Sequence, residues 1–284
     1  MAIVLGDNRY GKAETRLVRV VRDGPRHDLR DLTVDVALAG DLAATHRTGD
    51  NSAVLPTDTQ KNTVYAFAKK YGVGAPEEFG LVLAGHFVDT QPSITWARVT
   101  LREHPWDRLG PHSFARAGGQ TRTATITVAG GRAYAVAGVT GLVLLNSTGS
   151  EFTGFVVDEY TTLSPTTDRL LATEVTARWR YATTSVDWHE AWSGARATLV
   201  RAFATTYSLS LQQTLYAMGQ RVLEERPEIA EIRLTLPNKH HFLVDLAPFG
   251  LDNPGEVYVA TDRPYGLIEG TVTRDDAHAA AEAW

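Results

Sequence analysis

The side chains of this sequence that could grip a polar ligand and move protons on it are Lys12, Thr57, Asp58, Phe152, Arg169, Gln212, Asn238 and His240. A guanidinium presents a planar fork of donors, and a primary amide both donates and accepts. A histidine changes charge near neutral pH. A lysine normally holds its proton to about pH 10.4, so it acts as a base only where burial or neighbouring charge lowers that value. Taken singly, each position has a plainer reading. Lys12 lies in an early strand and reads as a solvated surface lysine. Thr57 and Asp58 stand ahead of a helical stretch and read as caps, although a helix N-terminus also favours anions. Arg169 after Asp168 reads as a weak surface ion pair, Phe152 as core, Gln212 as polar filler at a helix start, and Asn238 after Pro237 as a turn residue. His240 reads as a partly buried, hydrogen-bonded ring.

Familiar motifs do not raise any of these above the plain reading. Gly72, Gly74 and Glu77 break a G-x-G-x-x-G pattern, and neither a P-loop nor a G-x-S-x-G elbow occurs. His189 and Glu190 begin like a zinc-binding helix, but Ser193 stands where the second histidine belongs. His240 and His241 are adjacent at a strand edge, so alternation predicts opposite faces and no shared metal. The other histidines are scattered, and the chain has no cysteine, which removes disulfides, thiolate metal sites and a cysteine nucleophile. No metal centre is expected.

The elements that must position these residues show two periods. Asp31 to Leu38 alternates, with Leu32, Val34, Val36 and Leu38 on one face, and Lys12 to Val21 reads as its partner strand. Two helical stretches follow, opening at Pro56 to Asp58 and at Ala75 to Glu78, and then strands at Ser93 to Arg102 and Thr121 to Ala129. The second half repeats the order. Strands at Ala133 to Leu145 and Ala172 to Tyr181 precede one helix striped by Trp188, Trp192, Ala195, Leu199 and Phe203 and another carrying Leu211, Leu215, Met218 and Val222. Strands at Glu231 to Leu236 and His241 to Leu246 are expected to close it. An internal repeat of this kind predicts an α+β fold of two similar units, 1–132 and 133–284, each an antiparallel sheet with its helices on one face. Such sheets leave edges and a bare face, so association of several copies is expected.

Composition bounds the function. At 43% hydrophobic and 21% charged residues the chain is an ordinary globular sequence. A formal charge of −5 without a basic run excludes the footprint of a nucleic-acid binder. Met1 to Tyr10 lacks a signal-peptide pattern, no window reaches the roughly 18 apolar residues of a membrane span, and Ala279 to Trp284 lacks a peroxisomal address. A cytoplasmic location is the expectation.

Read as strings, several distant segments resemble the urate oxidase (uricase) family. They are Arg9-Tyr10-Gly11-Lys12, Asp50-Asn51-Ser52 with Pro56-Thr57-Asp58 and Lys61-Asn62-Thr63, and the run from Asn146-Ser147-Thr148 through Ser150, Phe152, Gly154-Phe155 and Asp158 to Leu163, ending at Asp168-Arg169. Leu211-Gln212, Leu236 to His240, and Asp262 to Ile268 complete the set. The resemblance implies a tunnelling fold (T-fold) in each half, four strands and two helices, with four subunits joining their sheets into β-barrels. It implies that Phe152 stacks on a purine, that Arg169 and Gln212 grip opposite edges, and that the Leu211 backbone adds a contact. It further implies that Lys12, Thr57 and His240 relay protons, the first two from a neighbouring subunit, that Thr57 and Asp58 also bind the substrate, and that Asn238 and Thr57 hold dioxygen. The implied reaction converts urate, O2 and water to 5-hydroxyisourate and hydrogen peroxide with no cofactor. Leu211, Asn146 and His241 depart from residues common in the family, without removing a proposed functional group.

Two other readings fit parts of the pattern. Another T-fold enzyme acting on a pterin-like ring would in most cases use a zinc site or a different acid anchor, and the absent cysteines and unclustered histidines argue against it. A purine-binding protein without catalysis would not need Lys12, Thr57 and His240 alongside the clamp.

Overall fold

The structure, a computed structural model, describes residues 1–261 and 263–284. Asp262, which opens the last of the segments above, lies outside the described residues. Two long strands, β1 (Tyr10–Val21) and β2 (Asp28–Gly40), form an antiparallel pair in which Leu17 faces Leu32. A short helix, α1 (Ala43–Thr48), leads to α2 (Thr57–Lys70) and α3 (Pro76–Thr90). Strand β3 (Ile94–Glu103) lies beside β2, a small ribbon of β4 (Trp106–Arg108) and β5 (Phe114–Arg116) projects, and β6 (Thr121–Ala129) pairs with β3. Neither α1 nor this ribbon has a periodic signal in the sequence, because each is shorter than two turns or two full alternations.

The order then recurs as β7 (Arg132–Asn146), β8 (Leu171–Tyr181), α4 (Trp188–Thr205), α5 (Leu211–Glu225) and β9 (Ile229–Lys239). The ribbon strands β10 (His241–Leu243) and β11 (Tyr258–Ala260) follow, and β12 (Gly266–Thr273) ends the sheet. Hydrogen bonding runs β1-β2-β3-β6-β7 and continues β7-β8-β9-β12, so each half is antiparallel with its two long helices as foreseen. The chain forms two compact units, one of residues 1–138, 180–192 and 277–284 and one of 139–179 and 193–276.

The closing strand is a correction. His241 to Leu246 was expected to finish the second sheet, yet β10 pairs only with β11, while β12 lies against β9 with Ile268 opposite Leu236 and Val272 opposite Ile232. Alternating apolar residues mark a strand but not its partner. The Asn253 amide, donating to the carbonyls of Val244 and Val257 at 2.9 and 2.8 Å, turns the chain back on itself there and keeps the ribbon separate.

Each half seats a helix on its sheet through a glycine. A Cβ on Gly80 of α3 would lie 2.6 Å from Cγ1 of Ile126 and 2.9 Å from Cδ1 of Leu101, and one on Gly219 of α5 would lie 2.5 Å from Cγ2 of Val272. Such spacing admits no side chain, so these glycines set how closely α3 approaches β3 and β6 and α5 approaches β9 and β12. Around them Leu83, Phe87, Val99, Leu101 and Ile126 in the first unit and Ile232 and Leu234 in the second are buried, as are Leu215, Met218 and Val222 of the stripe read from the sequence.

Candidate active site

A cavity of about 700 Å³ in the second unit is lined by Phe152, Arg169, Leu211, Gln212, Asn238 and His240, together with Asp168, His241, Phe242, Tyr258 and Ile268. Six residues singled out from sequence, spread over 89 positions from Phe152 to His240, thus meet at one place.

Local structure explains how each arrives. Phe152 is held by a two-way backbone bridge with Thr166, at 2.8 and 3.1 Å, and its ring stacks on Phe155 with centroids 5.1 Å apart. It is half-buried at the cavity wall rather than in the core. The Arg169 backbone N–H donates to the Ser150 carbonyl at 2.9 Å, and its Nε donates to Ser150 Oγ at 3.2 Å. The Arg169 guanidinium carbon lies over the Phe152 ring, 5.3 Å from its centroid. Asp168 does not form the expected ion pair within this frame: its carboxylate accepts from Thr148 Oγ1 at 2.8 Å. Arg169 is desolvated by burial, which lowers its proton affinity without threatening its charge. A partly dry guanidinium is a stronger anchor for an anion than one in bulk water.

Leu211 and Gln212 open α5. Ser210 caps the helix by accepting from the Gln213 backbone at 3.1 Å, and the Gln213 side-chain Oε1 in turn accepts from the Leu209 N–H at 2.8 Å. This near capping box pins the first turn. Leu211 is buried, whereas Gln212 is exposed. Asn238, at the end of β9, stands opposite Gly266 of β12.

His240 sits between β9 and β10 and stacks on Phe242 with centroids 5.8 Å apart and planes 20° from parallel. Burial first, then the charges of Arg169 and His241, push its pKa below the ordinary histidine value. The neutral imidazole is therefore its form at pH 7. His240 and His241 were expected on opposite faces. Both border the cavity, because His240 belongs to neither strand and alternation does not carry across it.

Lys12, Thr57 and Asp58 belong to the first unit and do not line this cavity. The Lys12 charge helps hold the Asp58 carboxyl below the usual carboxylate range, after the stronger effect of Lys61, which bonds Asp58 directly while Asn62 donates to it at 3.0 Å. The capping role expected of Thr57 and Asp58 is a correction: Pro56 occupies the cap position of α2, no side chain caps it, and Thr57 is already the first helical residue. Proline at that boundary presets the backbone, which leaves Thr57 and Asp58 available for other contacts.

Sequence reasoning gave no role to Ser150, Thr166 or Phe155, although Ser150 and Phe155 stand in the recognised segments. Ser150 is fully buried beneath Arg169, and Thr166 and Phe155 fix Phe152. Only pairing across the loops reveals this. Among the described residues no group of three or more His, Asp or Glu side chains is arranged to hold a metal ion.

A tandem α+β chain whose pocket sets a guanidinium over an aromatic ring, with an amide and a neutral imidazole on its walls, is of the class that binds flat polar heterocycles. The uricase family model matches residues 8–127 and 135–269, and the chain belongs to that family. It is 52% identical to the uricase of Arthrobacter globiformis over 99% of this chain and 94% of that one, and 38% identical to the uricase of Dictyostelium discoideum over 94% and 96%. The crystal structure of the Arthrobacter globiformis uricase superposes with a TM-score of 0.96, covering 99% of this chain and 98% of that one. A urate oxidase structure from Bacillus sp. TB-90, 24% identical and covering 94% of this chain and all of that one, shares the fold with a TM-score of 0.82.

Proposed function

We propose that the chain is a urate oxidase that converts urate, O2 and water to 5-hydroxyisourate and hydrogen peroxide with no prosthetic group. The reading rests on one observation above all, the convergence of Phe152, Arg169, Leu211, Gln212, Asn238 and His240 on a single cavity. Phe152 offers a face for the purine to stack on. Arg169 offers a donor fork to a carbonyl and ring nitrogen on one edge, and Gln212 a mixed donor and acceptor to the other. The Leu211 backbone adds a contact, so its side chain affects only the width of the pocket.

Lys12 and Thr57 relay a proton from the bound purine, with Asp58 beside them and His240 completing the relay on the opposite side. Loss of the proton leaves an electron-rich dianion that transfers electrons to O2 held by Asn238 and Thr57. The resulting ring hydroperoxide expels hydrogen peroxide, and water adds to give the hydroxylated product. The side chains position the reactants, conduct protons and stabilise charge, effects that require no redox group of the protein.

Lys12 and Thr57 come to the cavity from a neighbouring copy in a tetramer whose sheets close into barrels. Two observations support association. Strands β1 and β12 end the hydrogen-bonded order, and unprotected edges pair readily with another chain. Val156, Val157, Tyr160, Phe242 and Phe249 are exposed apolar side chains, with Val156 at 91%, and contact with another copy would cover them. The tandem repeats divide at residues 132 and 133.

The test mixes purified protein with urate and follows ultraviolet absorbance together with oxygen uptake. Loss of urate absorbance with one O2 consumed and one hydrogen peroxide released per urate is expected. Tight binding without consumption would instead mark a purine-binding protein.

A further inference from the structure

The strand that carries Lys12 contains a β-bulge. Thr15 pairs with Val34 and Lys12 with Val36, so three steps along β1 oppose two along β2. The extra residue changes which side Lys12 occupies, because a single-residue shift inverts strand alternation. Leu17, Thr15, Lys12 and Tyr10 stand opposite Leu32, Val34, Val36 and Leu38, the buried set. Without the bulge Lys12 would share the other side with Arg16. The bulge is fastened at Glu14, whose backbone has a φ of 57° and whose N–H donates to Asp35 Oδ1, while Arg102 pairs with both carboxylates.

Tyr10 is two residues before Lys12 on the same side, about 7 Å away along the strand. Its hydroxyl donates to the Leu55 carbonyl at 3.0 Å and accepts from the Leu55 N–H at 3.0 Å. Gln60, fully buried in α2, donates to the same carbonyl at 3.2 Å. Leu55 is two residues before Thr57. One phenol therefore joins the strand segment of Lys12 to the peptide that starts the helix of Thr57.

We propose that Tyr10 is a positioning residue for the Lys12 and Thr57 pair, acting through the Leu55 peptide. The inference rests on the proposed proton relay and adds a residue to which that relay assigns nothing. Burial raises the Tyr10 pKa, so the hydroxyl keeps the proton it needs to donate and accept at once. Lysine-to-threonine proton transfer depends steeply on separation, whereas stacking and clamping of the purine in the other unit's cavity do not pass through Tyr10.

The experiment measures steady-state turnover in Tyr10→Phe, Lys12→Met and the double variant, at a temperature where all remain folded by circular dichroism. Tyr10→Phe is expected to lower kcat by about 10- to 100-fold, the scale of a slightly misplaced reacting group, with KM nearly unchanged. In the Lys12→Met background the further loss should be much smaller than in the wild type, since a residue that sets the spacing of Lys12 and Thr57 no longer has a pair to position. Gln60→Met, which loosens the same peptide without touching β1, should give a smaller kcat loss in the same direction and decides the matter if Tyr10→Phe does not fold. Wild-type kcat in Tyr10→Phe, or an equal further loss in the double variant, overturns the proposal while leaving the relay intact. Full turnover in Lys12→Met would overturn the relay itself, and the role of Tyr10 with it.

Discussion

The Arg169 guanidinium lies 5.3 Å above the centre of the Phe152 ring while its Nε is tied to the Ser150 hydroxyl. The guanidinium thus stands over the face of the ring, with one of its nitrogens tied to the protein before any ligand arrives.

Arg169→Ala is expected to weaken purine binding first. Losing charge-assisted hydrogen bonds of about 1.5–3 kcal/mol corresponds to a 10- to 150-fold rise in the dissociation constant of a non-reacting purine analogue, measured by calorimetry. Arg169→Lys should recover little, because an ammonium cannot present two parallel donors. Affinity left intact by the alanine change would show that the cation does not hold the ligand.

Lys12→Met should behave in the opposite way. Lys12 does not line the cavity of its own second unit, so anaerobic urate binding should stay within a few-fold of wild type while oxygen uptake falls by about 100-fold or more. Unchanged oxygen uptake would remove Lys12 from the chemistry.

His240 supplies the pH dependence. Burial, Arg169 and His241 all lower its pKa, so the acid limb of kcat/KM is expected at a pH below about 6.5. His241→Ala removes one of the three and should move that limb towards higher pH. The sign for stability follows from the same shift. Between the depressed native value and about 6.5 the unfolded chain binds more protons, so this residue's contribution to stability is present above about 6.5 and is lost as the pH falls through that window. Proton-detected titration of the His240 ring checks both statements, and a native value above 6.5 would contradict them.

The first unit has a buried ion pair that carries no chemistry. Arg122 contacts Glu77 at 2.6 Å, donates to the Trp188 carbonyl at 2.9 Å and lies 4.9 Å from the centre of the Trp192 ring. Glu77→Ala leaves that guanidinium without its counter-charge and should destabilise the chain by about 3–5 kcal/mol in reversible urea unfolding. Replacing both partners with apolar residues should cost much less. A near-neutral single variant would mean that water reaches Arg122.

Much of the architecture was legible because its signals are local. The alternation of Leu32 to Leu38, the stripe from Leu211 to Val222 and the proline at the start of α2 each report a period or a dihedral preference within a dozen residues. The second closing strand was not legible. His241 to Leu246 alternates well enough to be a strand, and the choice of β12 as the neighbour of β9 depends on which apolar residues can be buried across 30 positions.

The sequence by itself determined the repeated strand and helix order, the exclusion of thiol chemistry, and the family to which segments such as Arg9 to Lys12 and Leu236 to His240 point. Each of these resides in residue identity and short-range spacing. Only the tertiary structure decided that Ser150 underlies Arg169, that Phe155 and Thr166 hold Phe152, that His240 and His241 share one cavity, and that the bulge at Glu14 turns Lys12 to the side of α2. Those facts arise from burial and from pairings between segments far apart in the chain, and proton affinity, ring orientation and strand face take their values only once water has been excluded and those partners have met.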